Sequence, residues 1–337
     1  MSYKTPAYLI FLLLFLVKVS TAQDIHYSQF YNSPINVNPA LVGIFNGDQR
    51  IHASFRDQWR SVPVPWTSFS MAYDQKFYPK ISDKYFISGG VLFNYDRQGL
   101  SKLNLSNLNI IGSYTRILNE NNLVSLALSL GMASRGFSPS SLTWDQQWDG
   151  DLFDPSLPSG ENFDAQRVNF VENSIGLNYR YQKTSRTKLD VGIGVFHFIQ
   201  PTVSFYKEDK AKLPRRFSLS GIGSLKLIDE LDLQVHGLAQ FQDDYREYLI
   251  GGLLKFYVDT QRGKEFDLHL GLGYRTTKSL MPIIAIQYRN IYAAFSYDID
   301  MSEFDEITSN KGGPEIHFNY IITHVKPLKQ FKVCPIF

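Results

Sequence analysis

The chain has 337 residues, and its 34 Lys and Arg residues almost balance 32 Asp and Glu residues, which leaves a formal net charge of +2. Such a chain lacks the one-sided positive field that nucleic-acid binding requires, so we expect no nucleic-acid partner. Aromatic residues make up 15% of the sequence, as in strands and membrane interfaces, whereas a mean hydropathy of -0.19 is too polar for a bundle of membrane helices.

The first 22 residues have the three parts of a secretory signal peptide. Lys4 provides the positive start, residues 8–17 form an apolar core, and Ser20-Thr21-Ala22 supplies the small residues of a cleavage site. The apolar core is about half as long as the roughly 20 residues of a membrane-spanning helix. We therefore predict that residues 1–22 are a signal peptide that is removed before Gln23. The mature chain is then secreted, periplasmic or a membrane barrel.

Residues 23–46 are rich in Asn and Pro and show no regular alternation of apolar and polar residues. Three interpretations of this leader stay open. It plugs a barrel formed by the rest of the chain, it contacts partner proteins, or it is disordered. In the last case Asn38-Pro39-Ala40 forms a turn before the first strand, since Pro and Asn both favour turns.

Residues 47–323 alternate with the period of two that a barrel strand requires. In residues 124–133, apolar side chains at the even positions alternate with Ser, Ala and Gly. In residues 266–275, Phe, Leu and Tyr alternate with Asp, His, Gly and Arg. One face of such a strand suits lipid and the other suits a polar interior. We predict a transmembrane antiparallel β-barrel of about 14 strands, at 48–56, 66–76, 85–95, 103–115, 123–134, 168–181, 188–198, 215–227, 232–241, 248–258, 266–275, 280–288, 291–299 and 314–323.

The lengths of the predicted connections alternate in phase with the strand count. Long connections are expected at 57–65, 135–167, 199–214 and 300–313, and short ones at 117–122, 182–187, 228–231 and 289–290. Outer-membrane barrels have long extracellular loops and short periplasmic turns. An even number of strands also places both ends of the barrel wall in the periplasm. The remaining residues, 324–337, are predicted to form a C-terminal tail.

The long predicted loops carry the candidate partner-binding residues. Loops of this length are usually functional or disordered, and aromatic side chains dominate the binding energy of protein interfaces. The Trp residues and carboxylates of residues 135–167 therefore bind a partner or a divalent cation, or the Trp residues form the local core of a loop that covers the barrel mouth. The candidate partner-binding residues in the extracellular loops are Trp59, Trp66, Trp144, Trp148, Asp149 and Phe153.

The sequence has no motif that indicates catalysis, a metal site or a cofactor. The single cysteine, Cys334, allows no disulfide within the chain, and the seven histidines have no metal-binding spacing. Glycines inside strands, such as Gly192 and Gly194, have no following helix and are interpreted as bends or bulges of the wall. We expect a protein that is not an enzyme.

Several short motifs stand out at the two ends of the mature chain. They are QDIHYSQF at 23–30, NPALVG at 38–43, FRDQW at 55–59, SFSMAYD at 68–74, FSYD at 295–298, GPEI at 313–316 and CPIF at 334–337. Together they resemble the PorP/SprF family of the type IX secretion system of Bacteroidetes. The resemblance reaches both ends of the mature chain. Its motif residues, for which we expect a role in structure or assembly, are Asn38, Pro39, Ala40, Gly43, Arg56, Gln58, Trp59, Cys334, Pro335 and Phe337.

The resemblance implies a non-enzymatic outer-membrane component that exports particular cargo proteins and holds them at the cell surface, with a role in gliding motility in some members. Its expected partners are the outer-membrane bilayer, the C-terminal domains of secreted cargo proteins and other secretion components. Two other hypotheses are a channel for small solutes, because barrels of this size include channels, and an outer-membrane hydrolase, which no sequence feature favours.

Overall fold

The computed structural model describes residues 24–60, 65–79, 81–139, 142–206, 211–301 and 311–323. The predicted signal peptide, residues 1–22, and the predicted tail, residues 324–337 with Cys334, Pro335 and Phe337, lie outside these ranges. Within the described residues, no helix has the length and apolar content to cross a bilayer.

Fourteen antiparallel strands form a closed barrel in which each strand pairs with its sequence neighbours and β1 pairs with β14. The predicted fold class is thus confirmed. The strands are β1 Gln49–Gln58, β2 Trp66–Phe77, β3 Tyr85–Gln98, β4 Leu103–Asn119, β5 Asn122–Gly136, β6 Arg167–Gln182, β7 Lys188–Phe196, β8 Arg216–Ile228, β9 Leu231–Gln242, β10 Tyr245–Asp259, β11 Phe266–Arg275, β12 Ser279–Tyr288, β13 Ile291–Asp300 and β14 Lys311–Ile322.

The wall follows the predicted alternation, with apolar side chains outward and small or polar side chains inward. On β5, Leu128 is 47% exposed on the outer face, whereas its neighbour Ser129 is 4% exposed and faces inward. On β11, Leu270 and Leu272 are exposed while Asp267 is buried. A soluble protein buries apolar side chains and exposes polar ones, whereas this wall does the opposite, as barrels that span a bilayer do.

The two ends of the barrel differ. The first strand starts and the last strand ends at the same end, where Gln49 pairs with Ile322. We call this the turn end, because it has short connections such as those between β4 and β5 and between β12 and β13. The opposite end, the loop end, carries residues 137–166 and 197–215. Short turns and wall termini belong to the periplasmic side, so the loop end is extracellular.

The inside of the barrel is occupied by residues 24–46, which we call the lumenal segment. It contains three short 3-10 turns, Phe30–Asn32, Pro34–Asn36 and Pro39–Leu41. Three clusters of buried apolar side chains join it to the inner wall, because some inward wall positions carry apolar residues and not polar ones. The clusters are Ile35, Ala40, Val42, Ala72, Leu92, Ile111 and Ala127; Phe30, Val37, Leu238, Leu249 and Met281; and Leu41, Ile44 and Phe86.

A pair of arginine substitutions tests which face of the wall meets lipid. Leu128→Arg puts a charge on the lipid face, where it costs about 2–4 kcal/mol near the middle of the bilayer. Ser224→Arg puts the same side chain on β8 toward a cavity of about 390 Å³ inside the barrel. We expect Leu128→Arg to lower the yield of folded barrel in the outer membrane, measured by heat-modifiable migration on gels, and Ser224→Arg to preserve it. Equal yields of the two variants would contradict the assignment of the faces.

Candidate functional site

The Asn38-Pro39-Ala40 motif holds the middle of the lumenal segment against the inner wall. Asn38 precedes the 3-10 turn Pro39–Leu41, and its side-chain oxygen accepts a hydrogen bond from the Ala40 N–H at 2.9 Å. This is an N-cap, and it leaves the side-chain amide nitrogen free to bond elsewhere. That nitrogen donates to the backbone carbonyl of Leu177 on β6 at 2.9 Å. A single Asn side chain therefore both forms the turn and fixes it to the wall.

Three glycines of the inner wall make room for this motif. A Cβ atom at Gly176 would lie 2.1 Å from the side-chain oxygen of Asn38, and one at Gly192 would lie 2.4 Å from its side-chain nitrogen. A Cβ atom at Gly194 would lie 2.6 Å from the backbone carbonyl oxygen of Val37. The pairing of β7 with β6 and β8 has no register shift, so Gly192 and Gly194 do not mark bulges. They are glycines because another part of the backbone packs directly against the strand.

Gly43 forms the second fixed point, where the segment turns toward β1. Its φ of 75° lies in the left-handed region that favours glycine, and a Cβ atom would lie 1.9 Å from the Ser88 hydroxyl oxygen. The Gly43 N–H donates to Asp74 at 2.8 Å. Arg50 donates to both oxygens of Asp74, at 2.9 and 2.8 Å, and to the Leu41 carbonyl at 3.2 Å. The ion pair thus binds the backbone on both sides of residue 42.

Buried charges of β1, β13 and β14 hold residues 26–29 of the segment. The Glu315 carboxylate accepts the backbone N–H groups of residues 28 and 29 at 2.8 and 2.7 Å. Arg56 donates to the backbone carbonyl of His26 at 2.8 Å and pairs with Asp298. Buried ion pairs are tolerated when further hydrogen bonds satisfy them, and here the segment backbone provides those bonds. The buried charges therefore hold the segment in position, and the segment backbone provides hydrogen bonds that the buried charges need.

Asp24 anchors the start of the described segment near the loop end. It lies 2.7 Å from His197 and 3.3 Å from Arg216, and the other ring nitrogen of His197 lies 2.8 Å from Glu172. Burial alone would lower the pKa of His197, but the carboxylates of Asp24 and Glu172 outweigh burial and raise it to about 10. Burial would raise the pKa of Asp24, but His197 and Arg216 hold it well below its usual range. Both groups are therefore charged at neutral pH.

At the turn end, the last residues of the segment meet another buried ion pair. Arg180 donates to both oxygens of Asp190 at 2.7 Å and to the carbonyl of Ile44 at 3.1 Å. The Phe45 carbonyl accepts from Lys76 at 2.5 Å, and the Lys76 amine lies 4.6 Å from the centre of the Phe45 ring. The segment is thus fixed along its length, from Asp24 near the loop end to Phe45 at the turn end.

Two of the predicted loop residues lie beside the lumen. Trp59 follows β1, and its N–H donates to the Gly312 carbonyl at 2.8 Å. Trp66 is half-buried at the start of β2, where its ring nitrogen donates to Asp96 at 2.7 Å and its edge packs on the His26 ring. The two tryptophan rings are 6.2 Å apart. Together they cover the loop end of the segment.

The other predicted loop residues lie in the long β5–β6 connection. Trp144 is half-buried against Phe163, whereas Trp148 and Phe153 are exposed and pair through a short backbone bridge. Asp149 accepts the backbone N–H groups of residues 151 and 152 at 2.8 and 2.7 Å, which shapes the turn between them. Leu152 is also exposed. We call Trp148, Leu152 and Phe153 the loop surface.

Among the motif residues, Arg56 and Gln58 point into the barrel and are buried. The sequence alone assigned no segment-binding role to the wall residues that hold the segment, above all Asp74, His197, Asp298 and Glu315. Each is a charged residue at an inward position of a strand or next to one, and that placement was the available signal. Among the described residues, no group of His, Cys, Asp and Glu side chains is arranged to hold a metal ion.

The geometry defines an outer-membrane β-barrel whose interior is filled by its own N-terminal segment. Comparison with known families identifies it further: the sequence matches the model of the type IX secretion system membrane protein PorP/SprF over residues 19–320. The chain belongs to this family. Among curated proteins, no relative matches it.

Solved structures share the barrel fold at low sequence identity. The toluene transporter TbuX of Ralstonia pickettii has a TM-score of 0.51 and 13% identity, over 86% of this chain and 94% of that one. The toluene transporter TodX of P. putida has a TM-score of 0.48 and 10% identity, over 87% and 95%. BamA of Haemophilus ducreyi has a TM-score of 0.44 and 8% identity, over 81% and 70%. At these identities the likeness concerns the fold alone.

Gly176, Gly192 and Gly194 form a glycine patch on the inner wall, and a methyl group added there should displace the lumenal segment. Gly176→Ala places a Cβ atom 2.1 Å from Asn38, whereas at Gly112 a Cβ atom meets nothing within 4 Å. Overpacking of this kind costs about 1–3 kcal/mol. We expect Gly176→Ala to raise ion conductance in planar bilayers, and Gly112→Ala to behave as the wild type. The contrary result is a Gly176→Ala variant with unchanged conductance and unchanged amide exchange in residues 36–42. That result would show that the patch does not hold the segment.

The pKa of His197 predicts how the Asp24 anchor depends on pH. Because the folded-state pKa is raised to about 10 from 6.5, the stabilisation is complete below pH 6.5 and is lost as pH rises through about 10. His197→Gln should therefore lower stability by roughly 1.5–3 kcal/mol at pH 6. We expect this difference, measured by thermal unfolding in detergent, to shrink at pH 10.5. A difference that stays constant over this range would contradict the charged state of His197.

Proposed function

We propose that this protein is a non-enzymatic outer-membrane component of type IX secretion that helps to export specific cargo proteins and to anchor them at the cell surface. Cargo of the gliding-motility or adhesin type docks on the extracellular loops through its C-terminal domain. The observation that carries the proposal is a set of exposed aromatic and aliphatic side chains on an ordered loop, at the extracellular end of a barrel that belongs to the PorP/SprF family.

The loop surface has the properties of a protein-binding site. Trp148, Leu152 and Phe153 are 56%, 71% and 42% exposed, so they have no function in holding the loop core. The core below them is a separate aromatic cluster, in which Phe137 packs on Phe163 at 4.8 Å and on Phe205 at 4.7 Å. Exposed aromatic residues on a rigid support are typical energetic centres of protein interfaces. A partner docked here would bury them.

The lumenal segment supports a docking role over transport. Its apolar clusters and its hydrogen bonds to buried ion pairs of the wall occupy the middle of the barrel. We propose that the segment acts as a plug, which keeps the outer membrane sealed while cargo is held outside. The alternative is a channel for small solutes, which requires that the segment move or leave an open path. Conductance of the wild-type barrel in planar bilayers separates the two.

Substitutions at the loop surface test the docking proposal in the native host. We expect Trp148→Ser combined with Phe153→Ser to remove a small set of proteins from the cell surface and to change their level in the medium, as measured by quantitative proteomics. Each aromatic hot spot is worth about 2 kcal/mol or more, so the cargo affinity should fall at least about thirtyfold for each of the two residues. The control is Ile81→Ser, which changes an exposed apolar residue at the turn end.

Two results would overturn the proposal. One is an unchanged surface proteome in the loop variant, with the barrel present in the outer membrane at the wild-type level. The other is an equal loss of surface proteins in Ile81→Ser, since the effect would then not belong to the loop surface. A wild-type barrel with a large, solute-selective conductance would favour the channel.

A further inference from the structure

The cavity beside Ser224 lies at the turn end, below the lumenal segment. Its volume is about 390 Å³, within the range of roughly 300–1,000 Å³ found for ligand pockets. The segment closes its inner side with Tyr31 and Ile44, and turn residues such as Ser185 and Asn290 form its rim. The cavity therefore opens toward the periplasm. We call it the turn-end cavity.

The charges that line the turn-end cavity do not balance. Four of its cations have a carboxylate partner: Arg50 with Asp74, Arg180 with Asp190, Arg186 with Asp232, and Lys255 with Asp267. The other two, Lys188 and Arg289, line the same cavity but form no ion pair with any described residue. The site thus has two positive charges in surplus, one half-buried in the wall and one exposed in a turn.

Two buried polar atoms of the same lining also lack a hydrogen-bond partner among the described residues. They are the Nε2 atom of His269 and the side-chain oxygen of Asn319. Buried polar atoms are usually satisfied, so such atoms in a cavity mark positions for water or for a ligand. The imidazole of His269 donates or accepts according to its tautomer. The cavity therefore combines surplus positive charge with polar atoms that have no hydrogen-bond partner among the described residues.

Part of the remaining lining is aromatic or aliphatic, and this part limits the kind of anion that fits. Tyr257 lies between two cations, with Arg186 at 4.1 Å and Lys255 at 4.7 Å from its ring centre. Leu41 and Ile222 add apolar contacts. A small inorganic anion would use only the charges, whereas a peptide would also cover the apolar surface with its carbon atoms.

We propose that the turn-end cavity binds an acidic peptide segment of a periplasmic protein partner, with Lys188 and Arg289 as the residues that pair with its carboxylates. The chain's own end is a poor occupant, because residues 324–337 contain Lys326, Lys329 and Lys332 and no acidic side chain. The charge of this end of the barrel thus attracts a negative partner.

Peptide binding to the purified full-length barrel in detergent tests the proposal. The probe is a fluorescein-labelled peptide of alternating Glu and Leu, followed by fluorescence anisotropy at low and high salt. We expect saturable, salt-sensitive binding, and about tenfold weaker binding to the combined Lys188→Gln and Arg289→Gln variant. The matched control is Arg60→Gln with Lys311→Gln, which removes two exposed cations at the loop end. Arg289→Gln alone, an exposed turn substitution, should weaken binding in a barrel whose wall is unchanged.

Three outcomes would overturn the proposal. The first is no saturable binding of the Glu–Leu peptide to the wild-type barrel. The second is an equal loss of affinity in the loop-end control, which would mean that the peptide responds only to net charge. The third is displacement of the peptide by inorganic phosphate at a similar concentration, which would identify a small-anion site. None of these outcomes bears on the loop surface, so docking of cargo and this proposal fail separately.

Discussion

The structure depends on one constraint: inside a bilayer every backbone N–H and carbonyl group needs a partner within the protein, because hydrocarbon offers none. The pairing of β1 with β14 meets this constraint by removing both edges of the sheet. Once the sheet is closed, the wall separates the lipid outside from the polar interior. Apolar side chains face lipid, and the interior becomes a compartment in which buried charges can be retained without contact with hydrocarbon.

The side chains of the interior hold the lumenal segment in one position. Glycines remove side chains where Asn38 and Val37 touch the wall. Ion pairs such as Arg50–Asp74 and Arg56–Asp298 supply donors and acceptors to the segment backbone. The close fit beside the glycines excludes other positions of the lumenal segment. A misplaced segment would also leave charges unpaired in the interior, which costs free energy. Shape and charge therefore specify the same arrangement, which is a condition for a single native state.

The wall was predictable from sequence because its signal is local. Residues 124–133 and 266–275 show the period of two within ten residues, and the turn residues between strands fixed the count. The contents of the barrel were not predictable in this way. Glu315 binds residues that lie up to 287 positions away in sequence, and no spacing rule connects them. The inward Leu92, Ile111 and Met281 break the polar pattern of the interior because they pack on the segment, whose position the alternation did not reveal.

The direction of the lumenal segment has a consequence for how the molecule assembles. The described part of the segment begins near the extracellular mouth at Asp24, descends through the lumen, and enters β1 at the periplasmic side. Its partners on β6, β7, β13 and β14 are synthesised long after it, and contacts so distant in sequence form slowly. Because the closed wall surrounds the segment, the segment has to lie inside before β1 pairs with β14, or be threaded afterwards into a lumen lined with buried charges. Unpaired charges inside an empty barrel would make the second order costly, which favours closure around a segment that is already in place.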